Sequence, residues 1–202
     1  MTYQDELPLM MSATRWTHVQ RVADTAAALA RHWQLSESEA HQAGLLHDCA
    51  KQLSPALVYA QGLNQPTWSE PLYVTYAPVW HAFVGPYIAK QKWGIKNRSV
   101  LSAMQWHSTG RAAMRDLDKL LFVADYIEPG RSFPTREIVE NFAYQDLNLG
   151  AYAVAFLKLF FLVRDHRAIH PDTYKCREFY IRTLPESRLK QVHDALWPYL
   201  VS

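Results

Sequence analysis

Residues 43–51 read AGLLHDCAK. An apolar run ends in a histidine and an aspartate placed back to back, with a lysine three residues further on. A carboxylate and an imidazole taken into a core are costly unless something satisfies both. The stretch therefore calls for either ordinary hydrogen-bond partners or a metal ion. Its flanks decide the setting. SESEAHQAGLLHDCAKQL (36–53) keeps a helical period, with Ser36 as N-cap and Glu39 three residues later in a capping-box pattern. Upstream, in TRWTHVQRVADTAAALARHW (14–33), Val19, Val22, Ala26, Leu29 and Trp33 step by three and four, which gives a helix with one buried stripe.

The same period runs on along the chain. Ser54-Pro55 supplies a cap and a first-turn proline for the short helix ALVYAQ, which Gly62 would end. HAFVGPYIAKQKW (81–93), RSVLSAMQWH (98–107) and LDKLLFVADYI (117–127) read as helices, and REIVENFAYQDLNLGAYAVAFLKLFFLV (136–163) reads as one long helix. In PESRLKQVHDALWPYL (185–200), Leu189, Val192, Leu196 and Leu200 share a face. Residues 63–78 are proline-rich and without period, a loop. Few segments alternate as strands do. The expected fold class is all-α, a helical bundle with a metal site between helices.

Composition narrows the functions. The chain has 202 residues, 49% hydrophobic and 20% charged, a globular balance. A net charge of +2 does not call for nucleic acid or an acidic membrane surface. Cys49 and Cys176 form no disulfide framework, which points to a reducing compartment. The N-terminal MTYQDELPLMMSATRW lacks the basic and long apolar regions of a signal peptide, and no run is read as reaching the roughly 18 apolar residues of a membrane span. A cytoplasmic protein is expected.

Polar residues on the buried stripes carry the chemistry. His18 precedes Val19; His47 and Asp48 follow Leu45-Leu46; His81 lies three residues before Val84; His107 lies three after Met104; Asp125 lies four after Leu121. Each histidine taken alone is more often a satisfied core or surface residue than a ligand. Taken together, the six would each need a buried partner, and one shared metal satisfies all. Neighbours on a helix point about 100° apart, so His47 and Asp48 can address one cluster from two angles, and bundles commonly build such sites between helices.

The order His18, His47-Asp48, Asp125 resembles the HD metal-dependent phosphohydrolases, and His81 with His107 resembles the two-metal members. HVQRVADTAAALA, AGLLHDCAK, QWHSTG, LLFVADYIEPGR and IHPDT are together similar to the YqeK family, the HD-domain symmetrical bis(5′-nucleosyl)-tetraphosphatases. The resemblance implies that His18, His47, Asp48 and Asp125 hold one ion, with Asp48 bridging to a second held by His81 and His107. It implies iron, with manganese or cobalt able to substitute; mixed imidazole and carboxylate ligands do not themselves choose. It also implies residues 15–165 as the phosphohydrolase domain, 1–14 as an N-terminal extension and 166–202 as a C-terminal segment and helix packed on that domain. Gly85-Pro86 departs from the family's glycine followed by a small residue, and a proline inside a helix can kink it and redirect His81.

The implied substrate is a dinucleoside polyphosphate, with diadenosine tetraphosphate cut symmetrically to two ADP by metal-activated water. Two close ions lower the pKa of a shared water and hold the phosphoryl group. Asp48, Lys51 and Arg131 are expected in catalysis, and Arg21, Lys51, Arg131 and His170 in substrate binding. Each of these cations also reads as a solvated surface group, and His170 also as structural. Ser108 and Thr109 either orient a ligand imidazole or cap the turn at Gly110. Tyr73, Tyr76 and Trp80 either stack on a base or cover the core. A nucleotide phosphatase or phosphodiesterase of the same superfamily, and a non-catalytic nucleotide-binding module, remain as alternatives; a homodimer is left open.

Overall fold

The computed structural model describes residues 2–60 and 75–200. Its helices are α1 Tyr3–Met10, α2 Ala13–His32, α3 Glu37–Leu46, α4 Pro55–Ala60, α5 Ala77–Trp93, α6 Arg98–Trp106, α7 Asp116–Ile127, α8 Arg136–Gln145, α9 Leu147–Arg164, α10 Pro171–Thr183 and α11 Glu186–Leu196, ending in a 3-10 turn over Trp197–Tyr199. No strand occurs among the described residues. The caps read from sequence act as such: Ser36 Oγ accepts from Glu39 N at 3.3 Å and Ser54 Oγ from Leu57 N at 3.3 Å. Gly62 and residues 63–74 of the expected loop lie outside the described residues, while its last two positions, Ala77 and Pro78, already belong to α5.

α7 is the axis of the bundle. Leu120, Leu121, Phe122, Val123 and Ala124 are wholly buried, and α2, α3, α6, α8 and α9 all pack on it. Nine of its 12 residues are buried, Asp118 and Lys119 among them, which sets it inside the bundle. α2 and α3 meet most closely. A Cβ on Gly44 would collide with the backbone of Ala23, so main chain rests on main chain at that crossing. α1 adds the buried Leu7 to the same core, and α10 and α11 add Cys176, Tyr180, Val192 and Leu196.

Three expectations are corrected. α3 stops at Leu46, so His47 is its C-cap and Asp48 and Lys51 lie in the turns that follow rather than on the helix. The long helix read over 136–163 breaks at Asp146, which is extended (φ −160°, ψ 117°) and both ends α8 and caps α9 through Asn148 N at 2.8 Å. A short carboxylate competing for backbone donors explains the break. Finally, α9 is long and apolar enough to cross a membrane by length and composition. In this fold it is a core helix, with residues 149–155 all buried.

The crossing of α2 and α3 gives a direct test. Gly44→Val must force the two backbones apart, a cost of about 3 kcal/mol. Thermal unfolding should show the midpoint falling by roughly 6–12 °C for a chain of this size; an unchanged midpoint would mean that the crossing is not tight.

Candidate metal centre

Two helices end in the same way, and each end aims an imidazole. His47 Nδ1 donates to Gly44 O at 2.6 Å, and His107 Nδ1 donates to Met104 O at 2.7 Å. In both cases the ring takes a carbonyl that the next turn of helix would have used. The chain then leaves α-geometry: Cys49 N bonds Leu46 O at 3.1 Å and Lys51 N bonds Asp48 O at 2.9 Å, each spanning three residues. Fixing Nδ1 as the donor makes Nε2 of both rings the lone-pair nitrogen, the one able to ligate.

Asp48, 3% exposed, lies between two sets of rings. Its Oδ2 is 3.6 Å from His47 Nε2 and 3.9 Å from His18 Nε2. Its Oδ1 is 3.0 Å from His81 Nε2 and 3.7 Å from His107 Nε2, and those two nitrogens are 3.1 Å apart. Asp125 closes the first side, with Oδ1 at 3.3 Å from His18 Nε2. The six residues chosen from the sequence therefore converge. Pro86 sits within an unbroken α5 and leaves His81 aimed into the cluster. α5 passes over the turn after α3 at Gly85, whose carbonyl accepts from Cys49 Sγ at 3.6 Å.

The donor set fits a transition metal. His18 Nε2 and His47 Nε2 are buried without a hydrogen-bond partner, an expensive state that an ion would relieve. Ligand atoms of His18, His47 and Asp125, and again of His47, Asp48 and His107, lie within 4.8 Å of one another. Charge states agree. Burial lowers His47 to a pKa of about 4 and His81 to about 3, so both are neutral ligands near pH 7. Burial alone would raise Asp48, but the imidazoles of His47, His107 and His81 outweigh it and hold the carboxylate well below its usual range. Asp125 is likewise lowered, with His18 offsetting its burial.

Around this centre stand groups of both signs. Arg131 Nη2 donates to Asp125 Oδ1 at 2.9 Å, and Lys51 Nζ sits 3.3 Å from both ring nitrogens of His81. Arg21 is exposed and lies against Gly130, one turn from His18. Ser108 Oγ reaches His107 Nε2 at 3.1 Å, whereas Thr109 donates to Gly110 O at 2.9 Å and serves the turn. His170 is outside the cluster: it caps α10 through Asp172 N at 3.2 Å and touches the ring of Tyr76. Trp80 is buried in a second apolar cluster with Ala50, Val58, Val84 and Ile88, which removes it as a base-stacking surface. Tyr73 lies outside the described residues.

Three groups escaped the sequence reading. Arg15 Nη1 donates to Asp48 Oδ2 at 2.8 Å; it stands three residues before His18, on the same helix face. Glu128, buried, faces His18 Nδ1 at 3.1 Å and accepts from Gly130 N at 2.6 Å. Lys158 donates to His107 O at 3.2 Å and Ser108 O at 2.8 Å, and burial lowers its pKa to about 8. A lone lysine inside an apolar run was its available signal.

Acid should destabilise the metal-free protein through the neutral rings. Because the native state holds His47 and His81 unprotonated, the unfolded chain binds more protons below pH 6.5, and stability falls as pH drops from about 6.5 toward 4. His18, raised because Asp125 and Glu128 outweigh its burial, contributes the opposite slope as pH rises through its own pKa. Each lowered ring contributes up to ~1.4 kcal/mol per pH unit. Urea unfolding of chelator-treated protein from pH 7 to 4.5 should show this limb, shallower in His47→Gln. A parallel limb in that variant would contradict it.

Known proteins place this arrangement. Residues 15–130 match the HD domain family. The symmetrical bis(5′-nucleosyl)-tetraphosphatase of Bacillus subtilis (strain 168) is 32% identical over 160 residues, 79% of this chain and 86% of that protein. The protein of the same description from Staphylococcus aureus (strain NCTC 8325 / PS 47) is 32% identical over 168 residues, 82% of this chain and 86% of its own. A crystal structure of a "predicted HD superfamily hydrolase involved in NAD metabolism" from Clostridium acetobutylicum superposes with a TM-score of 0.80 at 30% identity, covering 89% of this chain and 95% of that one. The HD domain implies divalent-metal binding, and the His/Asp cluster provides for it. The chain thus belongs to the HD domain family, in the group of the symmetrical bis(5′-nucleosyl)-tetraphosphatases.

Proposed function

We propose that the protein is a metal-dependent phosphoanhydride hydrolase that cuts diadenosine tetraphosphate symmetrically into two ADP. The observation that carries this reading is Asp48, with one oxygen toward His18 and His47 and the other toward His81 and His107. That disposition suits a carboxylate bridging two ions. His18, His47, Asp48 and Asp125 would hold one, and Asp48, His81 and His107 the other, with iron as the cellular metal and manganese or cobalt as substitutes. Bound divalent ions supply activated water and neutralise phosphoryl charge.

The chain's own residues do the rest. Asp48 keeps its charge and divides it between the two ring pairs. Lys51 and Arg131, at the rim, contact phosphate oxygens during cleavage, Lys51 as a point charge and Arg131 as a fork. Arg21 binds more distal phosphate, and His170 approaches the nucleoside through its contact with Tyr76. Residues 15–165 form the catalytic domain, with 1–14 and 166–202 as its flanks. A cytoplasmic setting suits the two buried, free cysteines.

The deciding experiment is hydrolysis of diadenosine tetraphosphate by protein reconstituted with iron, manganese or cobalt, with the products separated. ADP as sole nucleotide product, abolished in Asp48→Ala, is the expected result. AMP with ATP, or no turnover by metal-loaded protein, would overturn the assignment. A second measurement addresses the support of His18. Glu128→Ala should weaken metal affinity about 10–100-fold, as loss of a ligand's orienting partner does. Equal metal titrations for variant and parent would remove Glu128 from that role.

A further inference from the structure

Lys158 is the charged residue that interrupts the apolar run of α9 between Asp146 and Arg164. Its ammonium sits 4.5 Å from the ring centroid of Phe122 and spends two N–H groups on His107 O and Ser108 O. An ammonium has three donors. Lys158 has no carboxylate within salt-bridge distance among the described residues; the Asp125 carboxylate acts on it from further away and offsets part of the cost of its burial. With two donated to carbonyls, the third N–H of the ammonium has no acceptor among the described residues.

The place itself indicates the source of that acceptor. Lys158 lines a pocket of about 340 Å³ together with Tyr76, Val79, Ser108, Leu162 and His170. Ser108 belongs to both sides, since its Oγ is also 3.1 Å from His107 Nε2. One end of the pocket is therefore the edge of the imidazole cluster, with Lys158 at the junction. The other end is walled mainly by Tyr76, Val79, Leu162 and His170, with Arg167 also on the lining. Such a cavity matches a ligand that is flat and weakly polar at one end and polyanionic at the other.

We propose that Lys158 is a substrate-binding cation that grips the diphosphate of a nucleoside 5′-diphosphate half, whose nucleoside occupies the pocket between Tyr76, Val79, Leu162 and His170. The proposal rests on the reading of the cluster as a metal site for a dinucleoside polyphosphate, and adds where one half of that substrate lies. Holding the turn at His107 and Ser108 is a separate, structural role for the same amine, and the test must distinguish the two.

Calorimetric titration of the metal-loaded full chain with ADP, adenosine and pyrophosphate does so. Lys158→Met keeps the stem on Phe122 and removes the charge. It should weaken ADP and pyrophosphate about tenfold or more, the worth of a charged hydrogen bond, while adenosine affinity and metal content stay as in the parent. Unchanged ADP affinity, or a loss that adenosine shares equally, overturns the proposal. Leu162→Trp, which fills the pocket away from the cation, decides the matter should Lys158→Met fail to fold or to hold metal. Weakened adenosine and ADP with unaltered pyrophosphate supports the proposal; unaltered adenosine and ADP overturns it. Because binding is read without turnover, inactivity toward diadenosine tetraphosphate would sink the assigned reaction and leave this result standing.

Discussion

A single carboxylate governs this bundle. Asp48 is buried, and a buried carboxylate resists ionisation unless its surroundings favour the charge. Four imidazoles and the Arg15 guanidinium supply that favour, and they come from α2, α5 and the ends of α3 and α6. To bring these groups within 4 Å of two oxygens, helices must stop at particular residues and cross at particular heights. The position of α3 against α2, the passage of α5 over the turn after α3, and the early end of α6 all serve this one requirement.

Helix termination is the means. An imidazole that bonds the carbonyl three residues before it both blocks the next helical bond and fixes its own ring, leaving the far nitrogen directed into the bundle. His47 and His107 do this on separate helices, with nearly equal bond lengths of 2.6 and 2.7 Å. The end of a helix, usually a place of unsatisfied carbonyls, here becomes the device that orients the site. Glu128 performs the corresponding service for His18 from the end of α7.

Most of this was legible in the sequence, for a definable reason. Hydrophobic period revealed the helices, and polar residues on apolar stripes revealed His18, His47, Asp48, His81, His107 and Asp125, because both signals are local. What was lost was local competition and distant pairing. Nothing in the period of 36–53 says that a ring will take Gly44 O, so the helix was read through His47. Nothing in 136–163 says that Asp146 will prefer a cap to a helical bond. Arg15, Glu128 and Lys158 reach partners 33, 110 and 50 residues away, respectively. Those distances are set by the packing of helices, which no single segment records.

The crossing at Gly44 and Ala23 has a bearing on how the cluster is held together. Where side chains separate two helices, rotamer changes let the gap breathe; where backbone meets backbone, no such slack exists. The separation of the α2 and α3 backbones, which carry His18 and His47, is thus set by main-chain contact. A change at that crossing therefore acts on the cluster as well as on the core: a side chain at position 44 that moves α3 away from α2 also moves His47 away from His18, whose ring centroids stand 5.5 Å apart.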